Sequence, residues 1–234
     1  MVFGAATTLT VQTEDLAVAY GEFKQEALRL SPDYQPQTVN TDGWQQTRLA
    51  WLGLFPSIVV IRCFLHAFLR IRDRCKHSPY YRRLQCLFWH IYPAKPYGTY
   101  WRRFRALQVF ADAHLSGEAL NTLRKFKQKQ AELFVGWRYP GCHRISTMLE
   151  RHIQPMTRCL YMGRDFHRHR DSAHLLVRSW ALLHNFQPDC LRSRLRSGSP
   201  FASPFHKLNG MCYRECWLEN LLVASSGLVE YYHQ

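Results

Sequence analysis

Two short β-branched runs, TVNTD at 38–42 and SIVVIRC at 57–63, constrain this fold more than any other feature of the chain. Between them Leu49, Trp51, Leu52 and Phe55 recur at helical spacing over 44–55, and Pro56 ends that pattern. Two strands joined through a helix return side by side in the same direction, so a parallel pair is predicted. A third small, apolar and β-branched stretch, 3–11, predicts a strand ahead of them. Thr13, with Glu14 and Asp15 in the first turn, starts a helix over 14–30 on which Leu16, Ala19, Tyr20, Phe23, Ala27 and Leu30 share a face. The order strand, helix, strand, helix, strand argues an α/β class.

After Cys63 the pattern changes. Only helical periodicity runs from His66 to about Phe134, with a break at Tyr92-Pro93 and Lys95-Pro96. GWRYPG at 136–141 is a turn, 145–161 is helical with an interruption or kink at Pro155, and 172–186 is a strongly amphipathic helix whose Trp180, Leu183 and Phe186 are core by spacing. RLRSGSPFASP at 194–204 reads as a flexible linker and 216–229 as a final short helix. Four segments follow: a strand-bearing region at 1–66, a basic helical region at 67–140, a returning helix with a packing helix at 141–190, and a tail at 191–234.

Charge narrows the partners. Thirty-one Lys and Arg stand against seventeen Asp and Glu, a net +14. Between Arg62 and Arg105 eleven basic residues accompany one acid, Asp73, and Tyr80, Tyr81, Trp89, Tyr92, Tyr97, Tyr100 and Trp101 are interleaved with them. That mixture suits a polyanion with stackable bases, or else a solvated basic face over an aromatic core. Arg70, Arg72, Arg74, Arg82, Arg83, Arg102, Arg103 and Arg105 are the candidates for DNA backbone contacts. The longest uncharged apolar run, 49–61, is too short to span a bilayer and contains Pro56, and no signal-type pattern follows Met1, so a soluble cytoplasmic protein without membrane partners is expected. Eight cysteines without a secretory signal predict reduced thiols. Cys63-x-x-His66 and Cys212-x-x-x-Cys216 have ligand-like spacing, so a zinc-binding regulator is a rival reading, though neither pair is followed by a second pair. GRDFHRHR, with His167, His169, Arg164, Arg168 and Arg170, looks like a loop touching phosphate.

The remaining candidates are carboxylates. Asp42 ends a predicted strand, where α/β sheets bind ligands, and Asp42-Gly43 is also ordinary turn chemistry. Glu150 sits on a helix in STMLER, either as a surface glutamate paired with Arg151 or Arg158, or as a placed acid. Two carboxylates far apart in sequence, one at a strand tip and one on a returning helix, are what phosphoryl transfer at Mg²⁺ (or Mn²⁺) requires.

TDGW at 41–44, LFPSIVVIRCFLHAFLRIRDRC at 54–75, STMLERHIQPMTRCL at 146–160 and RSWALLHNFQP at 178–188 occur in that order. Over nearly the whole chain this set resembles the DDE transposases of bacterial insertion sequences, in the branch related to Mutator-like elements. The resemblance implies a ribonuclease H-like sheet carrying the catalytic acids, with a large helical insertion between the second acid and the third. It matches Asp42 to the second acid, Glu150 to the third, and Cys63 and His66 to the family's Cys-x-x-His element. It implies cleavage of element ends and strand transfer into target DNA, by an intact protein that assembles as a homo-oligomer.

The departure is the first acid. In the family it precedes the strand matched by 3–11, whereas only Met1 and Val2 stand there, and Asp15, Asp33 and Asp73 fall in a helix, a loop and a run of arginines. The expectation is therefore an incomplete sheet, truncated at its N-terminus, and either weak transfer or a catalytically dead DNA-binding fragment that modulates a full-length partner.

Overall fold

The computed structural model describes residues 2, 4–95, 97–162, 169–198 and 202–225, and these are mostly helical around a two-stranded parallel sheet. A mixed α/β character holds at that level. The chain divides into two compact units, 35–151 and 1–34 with 152–234.

In unit 35–151, β1 (Thr38–Thr41) pairs with β2 (Val59–Arg62) in parallel register, from Thr38 opposite Val59 to Thr41 opposite Arg62. The crossover is α2 (Gln45–Leu54), which packs on both strands. Pro56 has no amide proton to extend α2, and a tight turn from Phe55 O to Ile58 N redirects the chain into β2. Both strands thus fall within the predicted runs.

Six further elements complete the unit before the returning helix: α3 (Phe64–Cys75), α4 (Tyr81–Ile91), α5 (Tyr97–His114), α6 (Gly117–Gln128), α7 (Gln130–Phe134) and a 3-10 turn, Val135–Arg138. Their apolar faces meet in one cluster. Leu84, Phe88 and Ile91 on α4, and Tyr100, Phe104, Leu107 and Ala111 on α5, lie three or four residues apart, so each set shares a stripe. Phe64 stacks within 4.4 Å of Phe88, Phe88 within 5.2 Å of Phe126, and Tyr100 within 5.3 Å of Trp137. Each fully buried Phe contributes roughly 1.5–3 kcal/mol. The aromatics between Arg62 and Arg105 are therefore chiefly core: Tyr81, Trp89, Tyr92, Tyr100 and Trp101 belong to the cluster, while Tyr80 and Tyr97 are exposed. Helical spacing turns most of these rings toward the cluster and leaves most of the arginines on the outer face.

Gly136 decides how the 3-10 turn seats. A Cβ there would lie 3.0 Å from Arg144 Cγ and 3.1 Å from Ile61 Cγ2, tighter than ordinary packing. The turn thereby closes onto buried Ile61 of β2, and the chain runs on through 139–146 into α8 (Thr147–Met162), which continues through Pro155.

The other unit contains α1 (Thr13–Leu30), the later part of α8, α9 (Arg170–Phe186), α10 (Leu191–Ser197), α11 (Pro204–Asn209) and α12 (Trp217–Ser225). Helices α11 and α12 pack on α9, with Phe186 4.6 Å from Phe205. Arg178 forks onto α1, donating to Glu22 at 3.1 Å and Glu26 at 2.9 Å.

Two expectations fail here. Among the described residues of 3–11 there is no strand. Val2 instead exchanges two hydrogen bonds with the buried Asn185 amide and Gly4 N donates to Glu26, so side chains take the place of a neighbouring strand. The linker over 194–204 is partly helical: α10 ends at Gly198 in a left-handed cap, and Ser203 caps α11 with Pro204 in its first turn. Residues 163–168 of GRDFHRHR and 226–229 of the last predicted helix lie outside the described residues. Among the described residues no helix is long and apolar enough to cross a membrane.

Candidate active site

The carboxyl ends of β1 and β2 are closed by the loop that leads into α8. Three backbone points hold it: Asn40 Nδ2 donates to His143 O at 2.5 Å, Phe64 N to Arg144 O at 2.9 Å, and Ser146 N to Cys63 Sγ at 3.2 Å. Arg144 locks the loop from the other side. Its guanidinium lies 4.1 Å from the Trp137 ring centre and 4.4 Å from that of Tyr92, and Nη1 donates to Tyr92 O at 3.1 Å.

Cys63 follows β2 directly and donates its backbone N–H to Thr41 O at 2.7 Å, so it stands beside the residue after β1, which is Asp42. His66 lies in the first turn of α3. Glu150 lies in the first turn of α8, where the helix dipole favours a carboxylate. Ser146, just before α8, joins the set. Its Oγ is 3.2 Å from Cys63 Sγ, 3.2 Å from His66 Nδ1 and 2.8 Å from Glu150 Oε1. A hydroxyl has one proton and two lone pairs. All three bonds form when Ser146 donates to Glu150 and accepts from the Cys63 S–H and from His66 Nδ1–H. His66 Nε2 lies 3.9 Å from Glu150 Oε1.

The fold thus brings Cys63, His66 and Glu150 together, and Ser146 is the member that sequence reading missed. Its only signal was a hydroxyl four residues before Glu150, which is common at helix starts. Asp42 is half-buried, and its Oδ1 accepts from Trp44 N at 2.9 Å, an Asx turn made possible by Gly43 at φ +84°. Among the described residues Asp42 makes no hydrogen bond or ion pair to Glu150.

The donor set does not fit a preformed two-metal cage. Among the described residues no three His, Cys, Asp or Glu side chains are grouped to hold an ion, and the two-carboxylate set of Asp42 and Glu150 lacks a third acid. The same finding applies to the zinc reading, and all eight cysteines are free thiols, Cys212 and Cys216 being exposed.

The predicted DNA-contacting arginines divide. Arg70, Arg74, Arg82, Arg83 and Arg105 are exposed; Arg72 pairs with Asp73 at 2.9 Å, Arg102 donates to Thr99 at 3.3 Å, and Arg103 donates to His90 O in the last turn of α4 at 2.7 Å. Arg62, Lys125 and Lys129 line the same groove as Arg70 and Arg74, and RKFKQKQ at 124–130 is a further run of charge.

No protein-family model, no curated protein and no solved structure matches the chain.

Proposed function

We propose that this chain is a DNA-binding protein built on a transposase-type, ribonuclease H-related core that holds two of the three family acids. The single observation behind this reading is the convergence at Ser146. Residues matched to the family on sequence alone, Cys63 and His66 on one side and Glu150 on the other, share one hydroxyl more than eighty positions from Cys63. They do so where β1 delivers Asp42. Nothing in strand or helix propensity requires that meeting.

DNA binding follows from charge: a net +14 releases counterions on association, and this drives sequence-independent affinity. Among the described residues no three His, Cys, Asp or Glu side chains are grouped to hold an ion, which favours DNA binding without strand transfer.

The test uses the purified chain with labelled duplex DNA, in gel shifts and in nicking assays with Mg²⁺ or Mn²⁺. A shift is expected, with no nicking above that of Asp42→Asn or Glu150→Gln. Nicking that both substitutions abolish would overturn the binding-only assignment, and absence of any shift would overturn the reading as a whole.

A further inference from the structure

Between α3 and α6 runs an open groove of about 490 Å³. Arg70 and Arg74 line one wall and Lys125 and Lys129 the other, each pair four residues apart. Arg62 joins them from β2. The acids on the lining are Asp73, which Arg72 already holds, and Glu118. Five cations therefore face two acids, and they are strung along the walls, which suits a chain of phosphates.

Arg62 gives the groove a direction. It is only 8% exposed, and its one acidic partner among the described residues, Glu132, is a long 3.4 Å away and itself 46% exposed. Its side chain crosses Gly43: a Cβ on that glycine would lie 3.0 Å from Arg62 Nε and 3.1 Å from Cζ. The groove's buried cation is thus packed against the turn that carries Asp42. The floor is Ala67, Ile71 and Phe126, with Phe126 only 8% exposed. No ring is presented for a base to stack on, so the groove reads phosphate and not sequence.

We propose that the α3–α6 groove is the track of a nucleic-acid phosphodiester backbone, with Arg62 seating a phosphate beside the Asp42–Gly43 turn. This rests on the DNA-binding reading above and gives it a surface.

Fluorescence anisotropy with labelled duplex and single-stranded DNA, titrated across a range of KCl, tests it. Each phosphate contact contributes about 0.9 to the log–log salt slope on duplex DNA. Arg70→Ser with Arg74→Ser, and separately Lys125→Ser with Lys129→Ser, should each lower the slope by about 2, the loss of two phosphate contacts. The pair Arg82→Ser with Arg83→Ser on α4, outside the groove, should lose less. All six positions are exposed, so folding is not at stake. Glu132→Gln, which removes the competitor for Arg62, should tighten binding by up to about fivefold. Two duplexes of unrelated sequence should bind alike. Wild-type binding that both groove pairs leave intact, or that the α4 pair abolishes instead, overturns the groove while sparing DNA binding. Absence of wild-type binding overturns both.

Discussion

Ser146 Oγ lies 2.8 Å from Glu150 Oε1 and, through the same atom, ties that carboxylate to Cys63 and His66. A side chain four residues before Glu150 thereby fixes where Glu150 points. Ser146→Ala deletes the hub and leaves the S–H of the fully buried Cys63 without its acceptor, while Ser146 N still donates to the sulfur. An unsatisfied buried polar group costs about 1–3 kcal/mol, and the partial exposure of Glu150 sets the low end. Ser146→Thr keeps the hydroxyl and should recover most of that. Urea unfolding of the two variants checks it: equal losses would remove Ser146 from its proposed role.

Arg144 is held by geometry that lysine lacks. Its planar group faces two aromatic rings and donates to Tyr92 O. Arg144→Lys keeps the charge but cannot stack and donate together, so it should recover less than half of what Arg144→Ala loses, a loss of about 1–3 kcal/mol. Thermal denaturation of both variants decides the point, and full rescue by lysine would show that charge alone matters.

Gly136→Ala places a methyl against Ile61 and Arg144. Ile61 is fully buried, so it has little room to move, and overpacking of this kind costs about 1–3 kcal/mol. Gly53→Ala, where a Cβ meets open space within a helix, should be neutral or stabilising. A chemical denaturation midpoint for each variant makes the comparison; similar values would mean that the 3-10 turn is not packed on β2.

Acid should weaken the other unit through a histidine pair. His152 and His184 have ring centres 4.6 Å apart, and Trp180 stacks on His184. Burial holds both imidazoles below their ordinary value, and for His184 the charge of His152 adds to it. Their values in the folded chain lie below the unfolded value of about 6.5, so the folded state binds fewer protons across that interval. This contribution is fully present above about pH 6.5 and is lost as pH falls through the lower, folded values. Urea midpoints followed from neutral to mildly acidic pH should fall on the acid side, and less so in His184→Phe. An identical slope in that variant would remove the pair as the cause.

What the chain determines by itself is what neighbours along it can settle. Alternation of β-branched runs with a helical period set the parallel pair of β1 and β2, and a three-to-four-residue stripe set α3 to α6 and α9. Proline placed the end of α2, whereas α10 formed within a stretch that reads as linker. The segment 3–11 shows where that reasoning stops: its residues favour a strand, but a strand needs a partner edge, and here Gly4 N donates to the Glu26 carboxylate while Asn185 holds the preceding Val2. Tertiary structure alone decided that the aromatics near the arginines are core, that Arg62 is buried over Gly43, and that Ser146 gathers three side chains. Those are meetings between residues nineteen to more than eighty positions apart, and they depend on how helices pack, a property that no local period encodes.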